Sequence, residues 1–107
     1  MTATAHDLLV LLQGHIGAGN GARGRDLAQR LNTSGRRVRH LVSELIEEGD
    51  FAVCGTPETG YFIAANQDEI NKTIDFHKHR ALHELRKASR LSKKPLQEIA
   101  GQLLLNT

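Results

Sequence analysis

The sequence predicts a mostly α-helical protein with one small β-hairpin, extended by a long C-terminal helix and a short terminal helix. Three observations carry that prediction. Apolar residues recur at helical spacing in three successive segments between residues 4 and 49. Two short β-prone runs then flank a Gly/Pro turn, and from residue 66 to 91 neither Gly nor Pro interrupts the chain. The expected division is a compact domain over residues 1–65 and a helical extension over 66–107.

The first helix is expected over residues 4–16. Thr4 serves as N-cap with Asp7 at N3, and Leu8, Leu9, Leu11, Leu12 and Ile16 form the apolar face. Gly14 and Gly17 weaken its C-terminal end, and Gly17-Ala18-Gly19-Asn20-Gly21 reads as a flexible loop. Those glycines lack the preceding strand and the following Gly-Lys-Ser/Thr of a phosphate-cradling loop, so no nucleotide site is expected. A second helix follows to Leu31, with Leu27, Ala28 and Leu31 inward and Asp26 at the positive end of the helix dipole.

Asn32-Thr33 makes the next turn, Ser34 caps a third helix, and Gly49 ends it as the C′ residue. Its apolar stripe is Val38, Leu41, Val42, Leu45 and Ile46, spaced i, i+3, i+4, i+7, i+8. The opposite face shows Arg36, Arg39, His40 and Ser43, with Arg37 on the flank. Phe51-Ala52-Val53-Cys54 and Tyr61-Phe62-Ile63-Ala64 are expected to pair as a hairpin with Gly55 to Gly60 as a six-residue tip, and Cys54 packs as a small apolar side chain.

Asn66-Gln67-Asp68-Glu69 is a capping box, Asn66 at N-cap and Glu69 at N3. The helix it opens would span roughly 37 Å. Its thin stripe of Ile70, Ile74, His77, Ala81, Leu85 and Ala88 suits packing on the domain first and on a partner helix further along. Ile74, Leu82 and Leu85 would be poorly covered in a monomer, so a homodimer through this helix is expected. Pro95 fits the N1 position of a last helix carrying Leu96, Ile99, Leu103 and Leu104.

Composition narrows the function classes. The chain has 107 residues, 39% hydrophobic and 24% charged, which allows one modest core. Four aromatics (Phe51, Tyr61, Phe62, Phe76) argue against an aromatic platform for RNA. No apolar run approaches the roughly 20 residues of a membrane span, and no signal peptide is evident at the N-terminus. The lone Cys54 has no partner for a disulfide or a zinc site. A cytosolic protein is the expectation.

The net charge of +2 conceals two basic blocks. Between residues 22 and 43, Arg23, Arg25, Arg30, Arg36, Arg37 and Arg39 face only Asp26. Between residues 78 and 94, Lys78, Arg80, Arg86, Lys87, Arg90, Lys93 and Lys94 face only Glu84. Two such patches on an otherwise acidic chain suggest polyanion contact, the alternative being solvated helix faces. An Arg presents a planar fork that matches guanine O6 and N7 together or clamps a phosphate. Arg36 and Arg39, three residues apart, project from one face. Glu44, Glu47 and Glu48 would repel phosphates, so only the N-terminal half of the third helix can approach DNA.

Residues from about 23 to 94 resemble the winged helix-turn-helix domains of bacterial and phage DNA-binding proteins, in particular small phage- or prophage-borne ones with a C-terminal helical extension. The matching motifs are Arg25-Asp26-Leu27-Ala28-Gln29-Arg30-Leu31, Ser34-Gly35-Arg36-Arg37-Val38-Arg39-His40-Leu41, Glu44-Leu45 followed by Gly49, and Gly60-Tyr61-Phe62-Ile63. The resemblance implies double-stranded DNA as partner, with base or phosphate contact by Ser34, Gly35, Arg36, Arg37, Arg39 and His40. Arg23, Arg25 and Arg30 would hold phosphates, Ser43 completes the DNA-facing surface, and Arg86, Lys87, Arg90, Lys93 and Lys94 form a second basic patch. The hairpin tip departs from the usual basic wing, because it offers Thr56, Glu58 and Thr59. Transcription regulation and replication initiation both suit such a domain.

Other chemistry finds little support. His79 and His83 at i, i+4 are spaced to chelate a metal, but no third ligand accompanies them, so no metal or other cofactor is expected. No nucleophile–base pair or paired carboxylates stand out, and the expectation is a protein without enzymatic activity. Two rival readings are a protein–protein adaptor on the same scaffold and a sequence-indifferent replication accessory protein.

Overall fold

The computed structural model describes residues 2–105, and its architecture is mostly α with a small antiparallel hairpin. The elements run α1 (Ala5–Leu12), a 3₁₀ turn (Ala18–Asn20), α2 (Gly24–Arg30), α3 (Gly35–Glu48), β1 (Val53–Thr56), β2 (Gly60–Ile63), α4 (Gln67–Ser92) and α5 (Leu96–Leu105). The chain forms two compact units, one reaching to Thr73 and the other starting at Ile74, so α4 belongs to both.

In the first unit the helix signals act as the local chemistry dictates. Thr4 Oγ1 accepts from the Asp7 N–H at 3.2 Å while the Asp7 carboxylate accepts from the Thr4 N–H at 2.9 Å. The Thr4 N–H first, and the Thr4 side chain after it, hold the Asp7 carboxyl below its usual range. Helix α1 stops at Leu12 instead of Ile16, because tight turns closed by the Gly14 and His15 N–H groups replace the next helical turn. α2 ends in a Schellman motif: Asn32 sits at φ 53°, and the Thr33 N–H donates to the Ala28 carbonyl at 2.9 Å. α3 is capped by Ser34 and closed by Gly49 at φ 76°.

The core gathers one face of each helix. Leu8 and Leu12 of α1, Leu27 of α2, and Val38 and Leu41 of α3 are wholly buried, with Ala28, Val42, Leu45, Val53 and Ile63 closing around them. At about 1.5–3 kcal/mol for each large apolar side chain, this cluster dominates the stability of the unit. Ile46 was expected in the stripe but is 46% exposed at its edge, whereas Leu45 beside it is buried.

The hairpin differs from its sequence reading. β1 begins at Val53 and continues to Thr56, pairing Val53 with Ile63, Cys54 with Phe62, Gly55 with Tyr61 and Thr56 with Gly60. The tip is therefore Pro57-Glu58-Thr59, three residues and not six, with Gly60 at φ 73° turning the chain into β2. Phe51 lies outside the strand and is 42% exposed, whereas Cys54 is buried as expected.

The glycine-rich segment before α2 is tied down along its length. Ala22 and Tyr61 exchange both backbone hydrogen bonds at 2.8 Å, the Gly17 N–H donates to the Ile63 carbonyl, and the Ile63 N–H donates to the His15 carbonyl. Gly21 of this segment and Gly60 of β2 serve close approach: a Cβ on Gly21 would lie 2.0 Å from the Thr59 oxygen, and one on Gly60 would lie 2.6 Å from the Ala22 oxygen. The start of α4 is fastened to the same segment. Asn66 Oδ1 accepts from the Glu69 N–H as a cap should, but the Glu69 carboxylate does not reach back to Asn66. It accepts from the Ala65 N–H at 2.8 Å and the Ala18 N–H at 2.7 Å. Those two donors, Ala18 first, hold the Glu69 carboxyl below its usual value.

In the second unit, α4 ends where Lys93 adopts φ 58°, and the Lys94 N–H turns back to the Ser89 carbonyl at 3.2 Å. The stripe expected on α4 is covered only in part. Ile70 and Leu85 are half-buried, whereas Ile74, His77, Ala81 and Ala88 are exposed, and Leu82 and Ser89 join Leu85 as half-buried residues at i, i+3, i+7. The covered face of the later turns is turned from the expected one, because Ala and His carry too little apolar surface to decide it.

Two outcomes check this account. Gly21→Ala should lower the unfolding free energy by about 3 kcal/mol in urea titration, and Gly19→Ala, with open space around its Cβ, should change it by less than about 0.5 kcal/mol. Glu69→Gln should lower the melting temperature at neutral pH. Because the folded chain holds Glu69 ionised to lower pH than the unfolded chain does, this stabilisation is complete above the ordinary glutamate range. It disappears as pH falls through the depressed folded value, so wild-type and variant melting temperatures should converge in acid.

Candidate functional site

The positively charged end of α3 is built from the cap outward. Ser34 Oγ accepts from the Arg37 N–H at 3.1 Å, which commits that oxygen to the cap. Gly35 opens the helix with nothing within 4 Å of where a Cβ would stand, so its backbone faces open space. Arg36 and Arg39 follow on the exposed face, and neither has a hydrogen bond or ion pair from its guanidinium among the described residues. Arg25, at the first turn of α2, is exposed and equally free among them.

The remaining residues of the expected surface are engaged. Arg37 is half-buried; its Nη2 donates to the Ala3 carbonyl at 3.1 Å and its Nε is buried without a partner among the described residues. It fastens the start of α3 to the residues that precede α1, so its guanidinium is turned away from the surface that Arg36 and Arg39 share. His40 Nε2 lies 3.0 Å from Glu44 Oε1, and Ser43 Oγ donates to the Arg39 carbonyl at 3.2 Å. Arg23 caps α2 and donates from Nη1 to the Pro57 carbonyl at 3.0 Å, which joins this arginine to the hairpin tip.

Arg30 has a partner that sequence reasoning missed. Its Nη1 lies 3.1 Å from His15 Nε2, while His15 Nδ1 lies 2.8 Å from the Asn20 carbonyl. A carbonyl only accepts and a guanidinium only donates, so in this geometry Nδ1 donates to Asn20 and Nε2 accepts from Arg30. The only signal in the sequence was a histidine beside Gly14, too little to find it.

The hairpin tip has no hydroxyl to spare. Thr56 and Thr59 accept from each other's backbone N–H groups, and the Thr59 hydroxyl donates to the Gly60 carbonyl. Phosphate contact by these hydroxyls would first have to break the lock that shapes the tip. The second basic patch is exposed throughout. Lys87 pairs with Glu84 at 3.2 Å and Lys94 with Glu98 at 3.9 Å, while Arg86, Arg90 and Lys93 have no carboxylate partner among the described residues. His79 Nδ1 donates to the Asp75 carbonyl at 2.7 Å, as a side chain bonded to its own helix does.

Charge along α3 runs opposite to the helix dipole. Its first turn holds no acid and two arginines, and its last turn holds no base and two glutamates. Cations at the positive end and anions at the negative end each cost about 0.3–1 kcal/mol when exposed. An anion bound at the N-terminal turns would offset the first cost. Among the described residues, none of the six arginines from Arg23 to Arg39 has a carboxylate within 4.0 Å.

No helix among the described residues is long and apolar enough to cross a membrane. Comparison of the chain with protein-family models, curated proteins and solved structures found no match in any of the three.

The division of labour among the arginines has a direct check. Arg37→Ala should cost about 1–2 kcal/mol of stability through loss of a charged hydrogen bond that is partly buried. Arg36→Ala and Arg39→Ala, measured in the same denaturant titration, should each stay within about 0.5 kcal/mol of wild type.

Proposed function

We propose that this chain is a double-stranded DNA-binding protein of phage or mobile-element type, built as a winged helix-turn-helix with α3 as the recognition helix. Its role is transcription regulation or replication initiation. The observation that carries this reading is the set of six arginines between Arg23 and Arg39 with no carboxylate partner among the described residues, two of them unengaged there on the exposed N-terminal half of a helix whose dipole also favours an anion. In this reading α3 enters the major groove, and Arg36 and Arg39 reach guanine edges or clamp phosphates. Arg25 and the open Gly35 backbone contact the flanking phosphates, and Arg23 does so beside the hairpin tip.

Arg37 is assigned to the scaffold and not to DNA, since its guanidinium is held by the Ala3 carbonyl. Glu58 and the locked threonines make the hairpin a poor second grip. The second basic patch, Arg86 to Lys94, extends the phosphate footprint or takes an acidic protein surface, and the C-terminal helices pair two chains. The rival adaptor reading draws on the acidic hairpin tip alone.

Binding to duplex DNA measured across a salt series separates these readings. With about five phosphates neutralised, the log–log slope should lie near −4 to −5, and Arg36→Ala and Arg39→Ala should each weaken binding by roughly 1–3 kcal/mol. An adaptor would bind no duplex even at low salt. A sequence-indifferent accessory protein would bind random and selected duplexes within a few-fold of each other.

A further inference from the structure

The other end of α3 presents a second surface that DNA contact does not use. Glu47, Glu48 and, just past Gly49, Asp50 are exposed and form no ion pair among the described residues. They lie at the negative end of the helix dipole, where a cation would be favoured and none is supplied by the helix itself. Ile46 and Phe51 bracket the three carboxylates and are 46% and 42% exposed. Large apolar side chains with an acidic rim suit a cationic segment that carries an apolar residue of its own.

The chain contains a segment of that chemistry. Arg86 and Arg90 form one i, i+4 row near the end of α4, and Lys87 and Leu91 form the adjacent row. Leu91 is 86% exposed, an unusual position for a leucine between cations. Lys93 ends the helix at φ 58° and adds a further charge directly after it, without a carboxylate partner among the described residues.

We infer that the basic end of α4 in one chain docks on the acidic end of α3 in a second copy of this chain. Leu91 packs against Ile46 and Phe51, and Arg86, Arg90 and Lys93 face Glu47, Glu48 and Asp50. Two chains that exchange this contact reciprocally form a closed pair in which each surface is used once per chain. The inference gives the proposed self-association its acceptor surface and stands whether or not the chain binds DNA. It also removes the carboxylates that oppose phosphates along α3, so self-association favours polyanion binding at the other end of the same helix.

Charge exchange tests it on the full-length chain by sedimentation velocity, with circular dichroism to establish that each variant is folded. Wild type should pass from monomer to dimer with concentration, and added salt should weaken the dimer. Glu47→Lys with Glu48→Lys, Arg86→Glu with Arg90→Glu, and Leu91→Ser should each weaken it at least about tenfold. An equimolar mixture of the two charge-reversed chains should pair again, because opposite charges then meet at both contacts. A chain that stays monomeric, an assembly larger than a dimer, a dimer that survives any of the three variants, or reversed chains that fail to pair when mixed overturns the inference.

Discussion

The backbone pairing of Ala22 with Tyr61 is the constraint on which the rest of the first unit depends. A two-stranded hairpin is marginal by itself in water. Here β2 gains a second neighbour, because the chain before α2 lies close enough to exchange hydrogen bonds in both directions at 2.8 Å. That approach is possible only where Gly21 and Gly60 leave out a Cβ. The consequences spread outward along the chain. Arg23, the next residue after Ala22, becomes the N-cap of α2 and reaches the hairpin tip through Pro57. At the far end of the same segment, Ala18 donates to Glu69 and fixes where α4 begins. The start of α2, the hairpin and the start of α4 therefore share one backbone reference.

Within that frame α3 is set by packing and not by its own electrostatics. Val38, Leu41, Val42 and Leu45 are buried, each worth about 1.5–3 kcal/mol, against roughly 0.3–1 kcal/mol for each charge placed against the dipole. The apolar face wins by a wide margin. The exposed face is free to carry charges that suit a partner instead of the helix, which is the physical basis for reading its two ends as two recognition surfaces.

Much of this was legible in the residues. The Thr4 and Ser34 caps, the Gly49 stop, the wholly buried Val38 and Leu41 and the long uninterrupted α4 follow from local rules that act within a few residues. What escaped depends on contacts between distant segments. The run from Gly17 to Gly21 has the composition of a mobile loop, and only the matching Gly60 shows that its small residues serve a close approach. Glu69 satisfies a capping pattern in sequence yet spends its carboxylate on Ala18 and Ala65. Arg37 and Arg39 are indistinguishable as residue types, and only the carbonyl of Ala3 decides that one is scaffold and the other surface.

That last distinction bears on how basic patches should be weighed. Six arginines within a short stretch suggest a single electrostatic surface, but three are already spent on neutral acceptors: Arg23 on Pro57, Arg30 on His15 and Arg37 on Ala3. A neutral acceptor holds a guanidinium in place without cancelling its charge. Arg23 and Arg30 are exposed and still contribute field, so they can steer a polyanion at long range while remaining fixed. Among the described residues, Arg25, Arg36 and Arg39 keep both the charge and an uncommitted planar fork, which short-range recognition requires. Charge in this molecule is thus a property of the whole stretch, and under the proposed DNA binding specificity would fall to the three side chains left uncommitted among the described residues.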